Sequence, residues 1–161
     1  DPPAKRRYCT TLKASTRRLM FELNYNAEEF RFPPGRYTRT HRFAVERQKL
    51  LAAWSTVAVG EQNGIIKTIA GTVETVPRVI RDFLIKVPDN YPYTGPEAFS
   101  IGWDLQGPHR YPDNQMCLWH ENDWTKRLTL AYAVGKTFLW VHKHEVYLNT
   151  GQWPGREQRH W

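Results

Sequence analysis

The apolar residues of this chain change their spacing twice, and that change restricts the fold more than any other feature. Two stretches before Ser55 carry apolar side chains at helical intervals. In residues 15–32 these are Leu19, Leu23, Ala27 and Phe30, with Ser15 or Thr16 placed to cap a short helix that Pro33-Pro34-Gly35 must end. In residues 40–54 they are Phe43, Leu50, Leu51 and Trp54, with Arg42, Arg47 and Lys49 elsewhere around the helix. From Ser55 the pattern becomes four β-type runs at 56–59, 65–76, 81–87 and 97–103. Phe83, Ile85 and Val87 share one face of the third run, and Phe99, Ile101 and Trp103 share one face of the fourth. Short turns at 60–64 and at Pro77-Arg78 join consecutive runs, which predicts an antiparallel meander of four strands. Helical spacing returns from about 125 to 148, with Leu128, Ala131, Phe138, Val141 and Tyr147 among the apolar positions. The expected class is α+β: N-terminal helices, a four-stranded meander and a long C-terminal helix.

At 161 residues the chain is long enough for one well-buried core. No apolar run reaches the roughly 18 residues of a membrane span, and Asp-Pro-Pro-Ala-Lys-Arg-Arg at the N-terminus lacks the apolar stretch of a secretory signal. A cytoplasmic protein is expected. The two cysteines, Cys9 and Cys117, are too few for a disulfide framework or a four-thiolate metal site, which leaves two thiols. Of the net charge of +7, all lies in residues 1–59, where 12 lysines and arginines face 5 acidic residues; the remainder is balanced at 11 against 11. A basic extension at 1–38, containing the short helix, is therefore separated from a domain at 39–161. Such a block either meets an acidic surface or nucleic acid, or is a solvated helix face.

Between the fourth run and the last helix, residues 104–124 have no period and are dense in Gly, Pro, Asp, Asn and His. Long irregular segments in compact domains commonly carry function. This one holds Cys117, with His109 eight residues before it and His120 three after. A thiol nucleophile needs thiolate character or a nearby base, and either imidazole suits that need if the loop folds back. The same cysteine, between Met116 and Leu118, also fits a small buried hydrophobe.

The surrounding pattern separates these readings. Tyr91-Pro92, Pro96 before Phe99, Pro108-His109, seven residues, Cys117-Leu118, then Trp124-Thr125 and Leu128-Thr129 together resemble ubiquitin-conjugating enzymes, which accept ubiquitin-like proteins from activating enzymes. The family has His-Pro-Asn ahead of its catalytic Cys-Leu, and a Trp and Leu-Thr before the next helix. The resemblance covers roughly residues 40–150 and implies the UBC-like fold, with 39–161 as its catalytic domain. Where the family has its Asn, this chain has His109, and Gly107 stands where its His would be. The single long helix ending in Tyr147-Leu-Asn-Thr-Gly-Gln-Trp-Pro-Gly155 looks like the bacterial proteins of anti-phage operons, which in CBASS signalling act on the C-terminus of a cGAS-like nucleotidyltransferase.

By this resemblance Cys117 is the nucleophile that carries a protein C-terminus as a thioester, His109 supports the loop and the oxyanion, and His120 assists proton movement. Tyr111, Asp113 and Trp119 are candidate partner-binding residues. The implied partner is a protein C-terminus, of a cGAS-like nucleotidyltransferase or a ubiquitin-like protein, with an activating enzyme as a further partner. No cofactor and no metal is implied. Two other readings fit the residues: an inactive binding module of the same fold, which the retained cysteine disfavours, and a nucleic-acid-binding domain, for which the strands lack interleaved basic and aromatic residues. His109, Cys117, His120, His142 and His144 offer zinc ligands, but no pair has an established finger spacing.

Overall fold

The structure, a computed structural model, describes residues 26–155 except Val76 and Pro77. Cys9 and most of the helix expected at 15–32 lie outside the described residues. The part of that stretch within them is a single 3-10 turn, Glu28–Phe30, rather than an α-helix. Phe30 and Phe32 nevertheless reach the interior, and Arg31 bridges to Leu128. The basic extension drawn at 1–38 thus contributes side chains to the same core as the rest of the chain.

Helix α1, Arg39–Ala53, begins at Thr38, whose hydroxyl accepts a hydrogen bond from the His41 amide at 3.2 Å. Four antiparallel strands follow in sequence order, β1 (Ala58–Gln62), β2 (Ile65–Glu74), β3 (Ile80–Lys86) and β4 (Glu97–Ile101). The expected meander is present. Its edge is extended by a hairpin of β5 (Arg110–Tyr111) and β6 (Gln115–Met116), with β6 antiparallel to β4 through Ala98 and Met116. These two-residue strands are too short to leave a period in the sequence. Helix α2, Leu130–Thr150, starts five residues later than expected because Thr129, not Thr125, is its N-cap and accepts from the Tyr132 amide.

The helices pack on one face of the sheet. Phe43 and Leu50 of α1, Ile66, Ile69 and Val73 of β2, Phe83 and Ile85 of β3, and Leu130, Val134 and Val141 of α2 form the core. In β4 the inward positions are Ala98 and Ser100. The shared face of Phe99 and Ile101 is therefore the outer one, where the Lys86 ammonium lies 4.7 Å from the Phe99 ring centre.

Arg42 departs from its expected place away from the apolar side of α1. It is buried, its guanidinium 3.9 Å from the Phe32 ring centre, and it donates to Glu46 and to the carbonyl oxygens of Lys126 and Leu128. Glu46, wholly buried, also accepts from the Tyr91 hydroxyl and from the Leu130 amide at 2.8 Å. Burial raises the Glu46 pKa, against the hydrogen bonds and the Arg42 charge that lower it. This cluster ties α1 to the Tyr91 loop and to the first residue of α2.

Candidate functional site

Residues 102–124 run from β4 across the start and end of the hairpin to α2, and three devices hold them in place. Asp113 and Asn114 take left-handed backbone conformations (φ 63° and 58°) at the tip of the hairpin, a geometry Asp and Asn tolerate well. The Asn114 side chain accepts from the Leu105 amide and donates to Asp104, both at 3.2 Å. At the base, the Gln106 amide donates to Nε2 of His144 on α2 at 3.0 Å. Gly107 (φ 73°) passes so close to α2 that a Cβ would stand 2.2 Å from the Tyr147 ring. That contact is the physical reason a glycine occupies the position where the resemblance would have a histidine.

His109 and Cys117 meet through the backbone. The His109 carbonyl accepts from the Cys117 amide and from the Trp140 indole, each at 2.9 Å, so the helix holds the loop and the loop holds the cysteine. Cys117 is buried, 2% exposed. Its Sγ lies 3.4 Å from the Tyr111 hydroxyl and 3.9 Å from the Trp119 carbonyl oxygen. A cavity of about 40 Å³ beside it is lined by His109, Lys136, Lys143, Trp140 and Trp153. Burial pushes the thiol pKa up, while the Tyr111 hydroxyl and the Lys136 charge pull it down.

Trp153 arrives there because Gly151 ends α2 in a left-handed conformation (φ 74°), its amide bonded to the Tyr147 carbonyl at 2.8 Å. The chain then turns back, and the Trp153 ring packs 4.8 Å from His109 and 5.4 Å from Trp140.

The remaining residues read from the sequence lie around this centre. Tyr111 is within hydrogen-bonding reach of the sulfur and lines a neighbouring groove of about 590 Å³ with Trp119, Trp124, Leu118 and Tyr93. Trp119 stacks against Tyr132, packs at a tilt against Trp124 and abuts Gly95, where a Cβ would come within 2.9 Å of the indole. Asp113 is exposed at the hairpin tip. His120 begins the 3-10 turn Glu121–Asp123 and is held in a reciprocal cap: its side chain accepts from the Asp123 amide, and the Asp123 carboxylate accepts from the His120 amide. It does not border the Cys117 cavity. Among the described residues no group of three or more His, Cys, Asp or Glu converges as a metal site, and no helix is long and apolar enough to cross a membrane.

Sequence reasoning missed Lys136, Trp140, Lys143 and Trp153. One signal was available: Lys136 is the sole charged residue in the otherwise apolar and small run from Leu130 to Val141, and Trp140 and Lys143 follow it at helical spacing. Size alone does not mark the site. A larger groove, about 790 Å³ between residues 32–43, 89–93 and Lys126-Arg127, does not include Cys117.

Residues 100–161 match the family model described as Type II CBASS E2 protein. No curated protein matches the sequence. Among solved structures, the fold is similar to a ubiquitin-conjugating enzyme E2 from Plasmodium falciparum, with a TM-score of 0.50 and 16% identity over 74% of this chain and 92% of that one. At that identity the likeness is one of fold. The chain is thus UBC-like in architecture, and its stretch from residue 100, which contains the loop, Cys117 and α2, is similar to the CBASS-associated E2 proteins.

Proposed function

We propose that this UBC-like chain is a cysteine transferase in which Cys117 carries the C-terminus of a protein partner as a thioester and delivers it to a nucleophile. Its setting is bacterial antiviral signalling, with a cGAS-like nucleotidyltransferase as the partner. The observation that carries this reading is the small cavity bordered by both Cys117 and His109, with the Cys117 amide bonded to the His109 carbonyl. It lies within the segment that matches the CBASS E2 proteins, on a fold shared with a ubiquitin-conjugating enzyme.

The chemistry follows from the groups present. Sγ adds to an activated C-terminal carbonyl, supplied by an activating enzyme or another thioester, and the leaving group departs. An amine then adds to the same carbonyl and Sγ leaves. The His109 imidazole supports the negative oxygen of the tetrahedral intermediates, a task a hydrogen-bond donor performs well in a water-poor site. Tyr111, Trp119 and Asp113 belong to the face that meets the partner, and His120 caps the 3-10 turn that follows Trp119. Neither step needs a metal or an organic cofactor. A nucleophile that depends on a reduced thiol suits the cytoplasm.

The test is intact-mass analysis of the full chain with its operon partner and activating enzyme. Wild type and Cys9→Ser are expected to gain a thiol-sensitive adduct; Cys117→Ser loses it or holds it as a thiol-resistant ester. An unmodified wild type under these conditions would favour a binding-only role.

A further inference from the structure

Tyr111 is 41% exposed and borders the groove shared with Trp119 and Trp124, yet its hydroxyl oxygen stands 3.4 Å from the Cys117 sulfur. The reaction just described places Tyr111 on the partner's face and gives that hydroxyl no task. The hairpin sets the approach. Tyr111 on β5 pairs with Gln115 on β6 across the left-handed turn at Asp113 and Asn114, and the Cys117 amide just after β6 is tied to the His109 carbonyl just before β5. Hydroxyl and sulfur are thus brought together by backbone, so little further ordering is needed when their contact is used.

Two polar groups reach Sγ with opposite capacities. The Trp119 carbonyl oxygen, at 3.9 Å, only accepts; it suits the S–H form and opposes negative charge on sulfur. A phenol hydroxyl accepts from S–H and, once that proton has gone, turns to donate to the thiolate. Phenols ordinarily keep their own proton to about pH 10. Lys136 borders the cavity beside the sulfur, but burial and then the Lys143 charge bring its pKa down to about 8, so its charge fades before a thiol that burial has raised is ionised. His109 from the loop and Lys143 from α2 are the other titratable groups on that cavity.

We infer that Tyr111 is a catalytic hydrogen-bond donor to Cys117, its O–H bonding to Sγ each time the sulfur carries negative charge. Its consequence for transfer rests on the thioester reading. In loading, the thiol proton is lost to solvent, the thiolate electron pair forms the new C–S bond, and the bond to the activating group breaks with that group taking its electron pair. In discharge, the nitrogen lone pair of the acceptor amine forms the C–N bond, the C–S bond breaks, and its electron pair returns to Sγ as thiolate, while the amine proton goes to solvent. The Tyr111 proton stays on its oxygen throughout. Attack begins from charge on sulfur and departure ends in it, so one donor aimed at Sγ supports both in a site where burial opposes both.

Tyr111→Phe removes the hydroxyl and keeps the ring. The full chain carrying Cys9→Ser is prepared with isotope-labelled cysteine, so that the NMR shift of one β-carbon follows ionisation at Cys117 and no tyrosine signal intrudes. Tyr111→Phe is expected to raise the Cys117 midpoint by ~1 pH unit, the scale of losing one hydrogen bond to the charged form; Tyr111→Leu is a second variant without the hydroxyl should the first fail to fold. In the loaded chain, single-turnover discharge to hydroxylamine, which needs no docked acceptor, is expected to slow by roughly tenfold. An unmoved midpoint overturns the inference. So does a raised midpoint with discharge at the wild-type rate, since the bond would then play no part in transfer. An unmoved midpoint in a chain that still forms the adduct removes only the hydroxyl's role; a raised midpoint in a chain that forms none removes only the thioester reading.

Discussion

His144 is wholly buried between Trp103 and Trp140, with ring centres 5.4 and 5.0 Å away, and its Nε2 receives the Gln106 amide. Burial first, and the Arg81 charge with it, lower its pKa to about 4, against Glu145 and the Gln106 bond. A base with a folded pKa below its unfolded one costs stability as pH falls, because the unfolded chain takes up the proton first. The stability of the fold is therefore expected to drop by about 3 kcal/mol between pH 6.5 and 4 from this residue, and urea unfolding at stepped pH measures it. His144→Phe should remove that part of the slope. The candidate zinc ligand of the sequence thus serves as an acceptor for the loop. At the proposed reacting centre, His109→Ala is expected to lower transfer by roughly 10²-fold, the usual loss for one oxyanion donor; single-turnover discharge of the thioester measures it, and an unchanged rate removes the imidazole from the proposed mechanism.

At the scale of elements, the joint between α1 and α2 is polar. Glu46 sits at 0% exposure with Arg42, Tyr91 and the Leu130 amide as partners. Deleting one partner of a buried pair leaves an uncompensated charge, so Arg42→Met is expected to destabilise by about 3–5 kcal/mol near neutral pH. Without the arginine the folded pKa of Glu46 rises further above its unfolded value. The deficit should then shrink as pH falls toward the unfolded carboxylate pKa and grow as pH rises toward the folded one. Denaturation at pH 5 and pH 7.5 checks the sign. The helical pattern of α1 was legible from Phe43, Leu50 and Trp54, but Arg42 was not, since hydropathy assigns an arginine outward and only the tertiary position of Glu46 and Phe32 draws it in.

Across the whole molecule, the α+β order and the meander follow from apolar period, because four runs joined by short turns leave few other arrangements. The β5–β6 hairpin did not show, and with it the feature that fixes Cys117: its strands are two residues long, and the left-handed turn at Asp113 and Asn114 was the trace available. The site itself was half legible. Cys117 and His109 were singled out by their spacing, and the structure brings both to one cavity. Lys136, Trp140 and Trp153 come from a helix and tail after the loop; the lone charge of Lys136 in an apolar run marks the helix face, but its meeting with the loop is set by tertiary packing.

The left-handed turn at Gly151 has a kinetic consequence. It folds Trp153 against His109 beside a sulfur that is 2% exposed. Trp153 borders the same small cavity as the sulfur, so a reagent or an incoming carbonyl is expected to meet only the fraction of molecules in which this flap has lifted, the observed rate being the intrinsic rate scaled by that fraction. Trp153→Ala should speed iodoacetamide labelling of Cys117 by about tenfold, the change in open fraction for about 1.4 kcal/mol of lost ring packing. Labelling no faster than wild type would mean that the way to the sulfur lies past Tyr111 instead. A partner that lifts the indole as it docks would couple its own binding to exposure of the thiol, and a bystander nucleophile would find the door closed.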